Sequence, residues 1–284
     1  MNYEIRPLPA GLYFVATPIG SARDITLRAL DVLASADVIA AEDTRTLRRL
    51  LEIHGVPLGE RPVIAYHDHN GDTARPRLMR ALQEGKSVAY ASEAGTPLVA
   101  DPGFSLARAA LDEGHLVTSA PGPSAVITAL TIAGLPTDRF FFAGFLPNAT
   151  GARRSALEDC AAVPGTLAFY ESPKRLAASL ADMAGVLGGD REAAVCRELT
   201  KKFEEVRRGT LSALAAHYAS ASVKGEVVVL VDRAQAEALP QEDVESALRR
   251  ALETLSVKDA AAMVAEAYGL KRREVYQQAL SLSR

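Results

Sequence analysis

The stretch SVAYASEAGTPLVADPGFSLARAALDEGHLVTSAPGPSA, residues 87–125, decides the fold class. Ser87–Ala91 is a short apolar run of β character that stops at the turn-rich Ser92-Glu93-Ala94-Gly95-Thr96-Pro97. Leu106–Glu113 has a helical pattern that Gly114 ends, and Leu116–Ser119 is another short β run that stops at Pro121-Gly122-Pro123. Strand, helix and strand in that order make a crossover unit, and crossovers join parallel strands. The same rhythm holds upstream. Leu12–Ala16 ends at Thr17-Pro18-Ile19-Gly20, Asp37–Ala41 at Glu42-Asp43-Thr44-Arg45, and Val63–Tyr66 at His67-Asp68-His69-Asn70. Between the first two, Asp24–Leu33 carries Ile25, Leu27, Leu30 and Leu33 at helical spacing. The expectation is a largely parallel sheet with helices on both faces.

Downstream a second cycle begins with a helix over Ser124–Ala133. Strands are expected at Phe140–Phe145, Thr166–Tyr170, Ala193–Glu198, Glu204–Arg208 and Glu226–Val231, with helices at Arg153–Ala161, Leu176–Leu187 and Leu211–Ala219. After Asp232 the pattern turns wholly helical, with Val244–Leu255, Val257–Tyr268 and Glu274–Leu282. The fold class is therefore α/β: two α/β domains, residues 1–122 and 123–235, followed by a small C-terminal helical appendage over 236–284. Its two apolar stripes, which include Leu248 and Leu252 on one helix and Val257 and Val264 on the next, can bury each other and leave Lys271-Arg272-Arg273 at a basic end. That end suits either a packing tail or a basic arm that grips a polyanion.

Composition narrows the class. The chain has 284 residues, 48% hydrophobic and 24% charged, which excludes wholesale disorder and fibrous repeats. No apolar run reaches the ~18 residues of a membrane span, and the first residues lack the basic-then-apolar layout of a secretory signal. Only two cysteines occur, Cys160 and Cys196. They suit a reducing cytoplasm rather than a disulfide framework. The net charge of −3 announces no nucleic-acid binder, but the cations are clustered: Arg45, Arg48 and Arg49; Lys174 and Arg175; Lys201 and Lys202; Arg207 and Arg208. Such doublets are either solvated helix faces or parts of one phosphate-binding surface.

The chemistry lies at strand ends, where open α/β sheets bind ligands. The loops TPIG (17–20), EDTR (42–45), HDHN (67–70), SEAGTP (92–97) and APGPSA (120–125) can converge on one rim. A nicotinamide-dinucleotide site is disfavoured by the absence of G-x-G-x-x-G, and there is no G-x-S-x-G elbow. Gly85-Lys86-Ser87 lacks the first glycine of a phosphate loop and leads into a strand. His67-Asp68-His69 suits hydrogen-bonding loop residues better than a metal, because no second ligand pair has a recognisable spacing.

Together these loops resemble the tetrapyrrole-methylase superfamily of S-adenosylmethionine enzymes. The residues that carry the resemblance are LYFVATPIG (12–20), DITLRALDVLASADVIAAEDTRT (24–46), YHDHN (66–70), ASEAGTPLVADPG (91–103), PGPSAVITAL (121–130), FFAGFLP (141–147), FYESPKRL (169–176), RELTKKFEEVRRGTL (197–211) and KGEVVVLV (224–231). Within the superfamily they are most similar to the branch that methylates a cytidine ribose 2′-hydroxyl in small-subunit ribosomal RNA. Two positions depart from the pattern: Ser21 stands where Asn is usual, and Glu93 where Asp is usual.

The resemblance implies two α/β domains with S-adenosyl-L-methionine in the cleft between them, a homodimer, and ribosomal RNA of the small subunit as partner. It assigns cofactor contact to Pro18, Ile19, Ser92, Thr96, Val99, Ser124 and Ala125, with Tyr170 and Leu199 from the second domain. Ile19, Val99 and Leu199 are equally suited to plain core packing. Methyl transfer to a weakly nucleophilic hydroxyl calls for a base or a cation beside the oxygen. The catalytic candidates are Lys201, Glu198, Glu171 and Asp43, with Glu42 and His67 also suited. Glu198 and Lys201 either pair or act on the substrate; Glu171 acts itself or positions Lys174; Arg45 fixes Glu42 or Asp43 or meets RNA. The alternative activity is methylation of a small tetrapyrrole, and a third possibility is a non-catalytic RNA-binding protein.

Overall fold

Side chains alternate across β1, Gly11–Val15, and that alternation organises the first sheet. Leu12 and Phe14 join one apolar cluster, and Tyr13 and Val15 join another on the opposite face. Residues 2–67, 70–100, 103–234 and 241–283 are described in the computed structural model; Asp68 and His69 of the histidine loop lie outside them. β2 (Val38–Ala41), β3 (Val63–Ala65), β4 (Ser87–Ala91) and β5 (Val117–Ala120) complete a sheet ordered β3-β2-β4-β1-β5. Every pairing in it is parallel, with Phe14 opposite Tyr90 and Ser119. One face is covered by α1 (Leu27–Ser35) and α2 (Thr44–Ile53), the other by α3 (Gly71–Gln83) and α4 (Phe104–Asp112).

Two of these helices were not expected from the sequence. α2 has Asp43 as its N-cap, with the carboxylate accepting from the amides of Arg45 at 2.7 Å and Thr46 at 3.4 Å. α3 begins at Gly71 and carries Pro76 inside it, residues that mask a helical period in the sequence. α1 starts at Leu27 rather than Asp24, because the Thr26 hydroxyl caps it by accepting from Ala29 N at 3.1 Å. Residues Ala22–Asp24 form a short 3-10 turn instead.

The first sheet is thus parallel as expected; the second, for which the sequence set no pairing direction, is mixed. It contains β6 (Phe140–Phe145), β7 (Thr166–Glu171), β8 (Glu192–Arg197), β9 (Glu205–Thr210) and β10 (Val227–Val231), ordered β6-β7-β10-β8-β9. Only β6 and β7 are parallel; β10 runs antiparallel to both neighbours, and β8 and β9 form a hairpin. A turn of seven residues between β8 and β9 has no room for a crossover helix, so that pair is necessarily antiparallel. α6 (Thr150–Cys160), α7 (Leu176–Leu187) and α8 (Leu211–Tyr218) cover one face. α5 (Ala125–Ala133) covers the other, where Ile19 from the loop after β1 joins the same cluster.

These elements form one compact unit, Met1–Arg233. A second unit, Ala234–Arg284, contains α9 (Gln241–Leu252), α10 (Val257–Ala267) and α11 (Arg272–Leu282). Leu248, Ala261, Val264 and Val275 are at its core, and Lys271, Arg272 and Arg273 are exposed. Among the described residues no helix is long and apolar enough to cross a membrane. Cys160 and Cys196 are free and buried.

Candidate active site

The loops at the carboxyl ends of β1, β4 and β5 are bonded to one another. Thr17 and Gly95 exchange two backbone hydrogen bonds of 3.0 Å, a short bridge between the first and fourth strand-end loops. The Thr17 hydroxyl donates to Ser92 O at 3.1 Å, and the Ser92 hydroxyl donates to Gly95 O. The Thr96 hydroxyl donates to Pro123 O at 2.8 Å, which ties on the loop after β5. Gly95 has φ +85°, and a Cβ there would meet Ile19 Cγ2 at 3.2 Å. A side chain would therefore push into the wall that these loops form.

The first-sheet loops also bond to the second sheet. Ser21 N donates to Thr200 Oγ1 at 3.0 Å. A Cβ on Gly20 would lie 2.5 Å from Lys201 Cγ and 2.6 Å from Thr200 Oγ1, so the two chains approach within contact distance. The bond uses the backbone of residue 21, which explains why Ser serves in place of Asn. Between the loops and the second sheet is a cleft of about 470 Å³. That is within the range of small-molecule sites.

Ile19, Thr96, Val99, Ser124 and Ala125 line this cleft from the first-sheet side and α5, and Tyr170, Glu171 and Leu199 from the second sheet. Pro18 and Ser92 are not on the wall. Ser92, 4% exposed, holds the turn that presents Glu93 to Thr96. Glu42, a candidate from the sequence, lines the cleft with Glu93 and Glu226 and brings negative charge to it; Glu226, Phe145, Gly225 and Cys196 are lining residues that the sequence did not single out as site residues. Segments containing Phe145 and Glu226 were visible in FFAGFLP and KGEVVVLV; nothing local marked them as cleft residues. Burial pushes the Cys196 thiol up to about 11, so it is a neutral wall group.

The candidate catalytic residues separate by their partners. Glu171 has no exposed side-chain surface. It accepts from Ser172 N at 2.6 Å, from Arg175 Nε at 2.8 Å and from the Ser179 hydroxyl at 2.5 Å. Its cation is thus Arg175, not Lys174, and its oxygens hold the start of α7. Lys201 Nζ lies 3.1 Å from Glu198 Oε1 and 2.7 Å from Glu226 Oε2. Burial opposes its charge, but those two carboxylates outweigh it and hold the Lys201 pKa above the usual lysine value. The Glu226 amide and then Lys201 hold Glu198 below its ordinary range. Neither Glu198 nor Lys201 lines the cleft. Asp43 caps α2 and pairs with Arg45 at 3.2 Å, which also lies off the wall. His67 N is held by Asn70 Oδ1 at 2.9 Å.

Glu93 and Glu42 are different. Among the described residues neither side chain has a hydrogen bond or ion pair. Burial, and then Glu42, Asp43 and Glu226, hold the Glu93 carboxyl above its ordinary range, with Arg45 opposing. The cleft therefore combines an apolar wall, small residues that allow close main-chain approach, and negative charge. That set fits a ligand with a flat apolar part and a positive centre, such as S-adenosylmethionine.

Residues 11–215 match the Tetrapyrrole (Corrin/Porphyrin) Methylases family, and residues 237–283 match the RsmI C-terminal HTH domain. A Mesorhizobium japonicum protein called ribosomal RNA small subunit methyltransferase I is 51% identical over 278 residues, covering 98% of this chain and 94% of that one. An Escherichia coli O157:H7 protein of the same name is 45% identical, covering 95% and 94%. Among solved structures, uroporphyrin-III C-methyltransferase from Thermus thermophilus, in complex with S-adenosyl homocysteine, has a TM-score of 0.54 and 19% identity, covering 78% of this chain and 97% of that one.

Proposed function

The chain belongs to the tetrapyrrole methylase family, and from that premise we infer that it is a methyltransferase acting on small-subunit ribosomal RNA, with a cytidine ribose 2′-hydroxyl as acceptor and S-adenosyl-L-methionine as donor. The observation that carries this reading is the 51% identity across 98% of the chain, helical C-terminal unit included, with a relative bearing an rRNA methyltransferase name.

When bound, the cofactor supplies an electrophilic methyl group on a sulfonium cation. Ile19, Val99, Leu199 and Tyr170 would hold its apolar part, and Gly95, Ser124 and Ala125 would allow backbone contact. Glu42, Glu93 and Glu226 give the cleft a negative potential suited to a cation. Residues of this wall would hold the cofactor and exclude water beside it, and a hydroxyl held there in line would gain from alignment, which can lower a barrier by up to about 7–11 kcal/mol in the best intramolecular cases. Glu93 is our general base: among the described residues its oxygens have no hydrogen-bond partner, it lines the cleft, and its raised pKa makes it a better proton acceptor than an ordinary carboxylate. Ser92 supports the wall from behind, and Glu171, Glu198, Lys201 and Asp43 position the segments around it.

A homodimer is supported by the apolar surface of edge strand β6. Phe140 and Phe141 are 44% exposed and Phe145 is 58% exposed, with Ile127 of α5 at 49%. Sedimentation of the full chain checks this, and a monomer at micromolar concentration would reject it. A cytoplasmic location follows from the substrate, and cell fractionation tests it. The activity is tested with methyl-labelled cofactor offered small ribosomal subunits, naked ribosomal RNA or a corrinoid precursor. Label is expected on a cytidine ribose of the RNA. Label on the corrinoid alone would replace this reading with small-tetrapyrrole methylation.

A further inference from the structure

The turn between β8 and β9, residues 198–204, has an inner side held on all flanks. Leu199 is 6% exposed in the apolar wall, and Thr200 Oγ1 accepts from Ser21 N. Lys201 is held between Glu198 and Glu226. Thr200 N donates to Glu204 Oε2 at 2.6 Å, and Glu204 N donates to Lys201 O at 3.1 Å. Glu198 and Thr200 both have positive φ, 52° and 63°, conformations that a non-glycine residue keeps only where its surroundings enforce them.

What this rigid turn holds outward is Lys202 and Phe203. Phe203 is 62% exposed, with Lys202 Nζ 5.5 Å from its ring centroid. Phe203 is in none of the buried apolar clusters, yet it stands three residues from Thr200, the turn's hydrogen-bonded contact with the first-sheet loop. Exposed cations continue from it. Arg23 lies in the 3-10 turn that Ser21 ties to Thr200, and the carbonyl of Ala22 in that turn is 2.8 Å from His54 Nε2 at the end of α2. α2 itself exposes Arg45, Arg48 and Arg49. An exposed aromatic ring with a cation over it, on a turn bonded to elements that expose further cations, is the chemistry that holds a single-stranded nucleic acid, bases stacking on rings and phosphates meeting cations.

We propose that Phe203 stacks on an unpaired RNA base beside the target nucleotide, with Lys202 and the α2 arginines on the flanking phosphates. The proposal rests on the ribosomal RNA reading above and adds the residues that grip the strand. Lys201, half-buried between two carboxylates, takes no part in that grip, whereas Arg45 and Arg49, each beside one carboxylate (Asp43 and Glu52), keep their side chains largely exposed. The single-strand preference follows from the flat ring, which needs a base free of its own stack.

The test uses the full-length protein, undermethylated small ribosomal subunits and methyl-labelled cofactor. Phe203→Leu keeps an apolar side chain but removes the ring face; it should raise KM for the subunit about tenfold, with kcat and cofactor affinity unchanged. Phe203→Trp should restore the wild-type KM. Lys202→Ala should flatten the log–log salt dependence of subunit binding by about 0.7–0.9. An unchanged KM in Phe203→Leu overturns the stacking role. So does a Phe203→Leu protein that loses self-association while binding RNA normally, because the ring then belongs to a protein contact. A wild-type protein that labels no RNA would instead remove the function reading, and this proposal with it.

Discussion

Glu93 and its neighbours make the residue-scale prediction. Two of the four cleft carboxylates are occupied, Glu171 by Arg175 and Ser179 and Glu226 by Lys201, which leaves Glu42 and Glu93. Glu93→Gln removes the proton acceptor and should lower kcat by about 100-fold or more, with S-adenosylmethionine affinity measured by calorimetry changed far less. The pH dependence has a definite sign. A base works deprotonated, so the rate rises with pH through the raised Glu93 pKa and levels above it. Glu93→Asp should keep that acid limb and Glu93→Gln should lose it; a full limb in the Gln variant would reject the base. Much of the cleft wall was legible because Ile19, Thr96 and Ser124 lie in strand-end loops with local signatures. The partners of Glu171 and Lys201 were not. Ser179 comes from the next helix and Glu226 from 25 residues downstream, and only folding brings them in.

At the scale of elements, α6 and α7 are joined by an ion pair under the surface. Arg153 Nε donates to Asp182 Oδ2 at 2.7 Å, and Arg153 Nη1 donates to Asn148 O at 3.0 Å. The two side chains are 5% and 14% exposed. Asp182→Ala leaves the guanidinium without its counter-charge and should destabilise the fold by about 3–5 kcal/mol, read from urea unfolding. The double variant Arg153→Met, Asp182→Leu should recover most of that loss; no recovery would mean that packing, not charge, is at issue. Strands were the legible elements, since their apolar runs are short and end in turn residues. The pairing directions of the second sheet were not legible. β10 lies between β7 and β8 although it follows β9 in the chain, and no run of residues records which neighbours it selects. α2 was hidden for a different reason: its buried Leu47, Leu50 and Leu51 are embedded among arginines that read as a charge cluster.

The whole molecule divides into Met1–Arg233 and Ala234–Arg284, each with its own apolar cluster. Every residue lining the cleft belongs to the first unit. Residues 1–233 alone should therefore fold and bind S-adenosylmethionine with wild-type affinity. KM for the ribosomal subunit should rise on the order of tenfold, if exposed Lys271, Arg272 and Arg273 meet two or more phosphates. Loss of cofactor affinity in a folded truncation would contradict this division, and wild-type KM would leave the helical unit without an RNA role. The Ile19 side chain has a further consequence, for biosynthesis. It is anchored among Val126, Ala194, Cys196, Val228 and Leu230, so a loop made near the start of translation finds its seat only in segments made much later. β10 is the last strand of its sheet to be synthesised, and β7 and β8 have no shared edge until it arrives. A nascent chain halted before residue 227 already carries every N-terminal loop motif, yet it has no finished cleft; methyl-transfer competence arrives with the final strand, late on the ribosome.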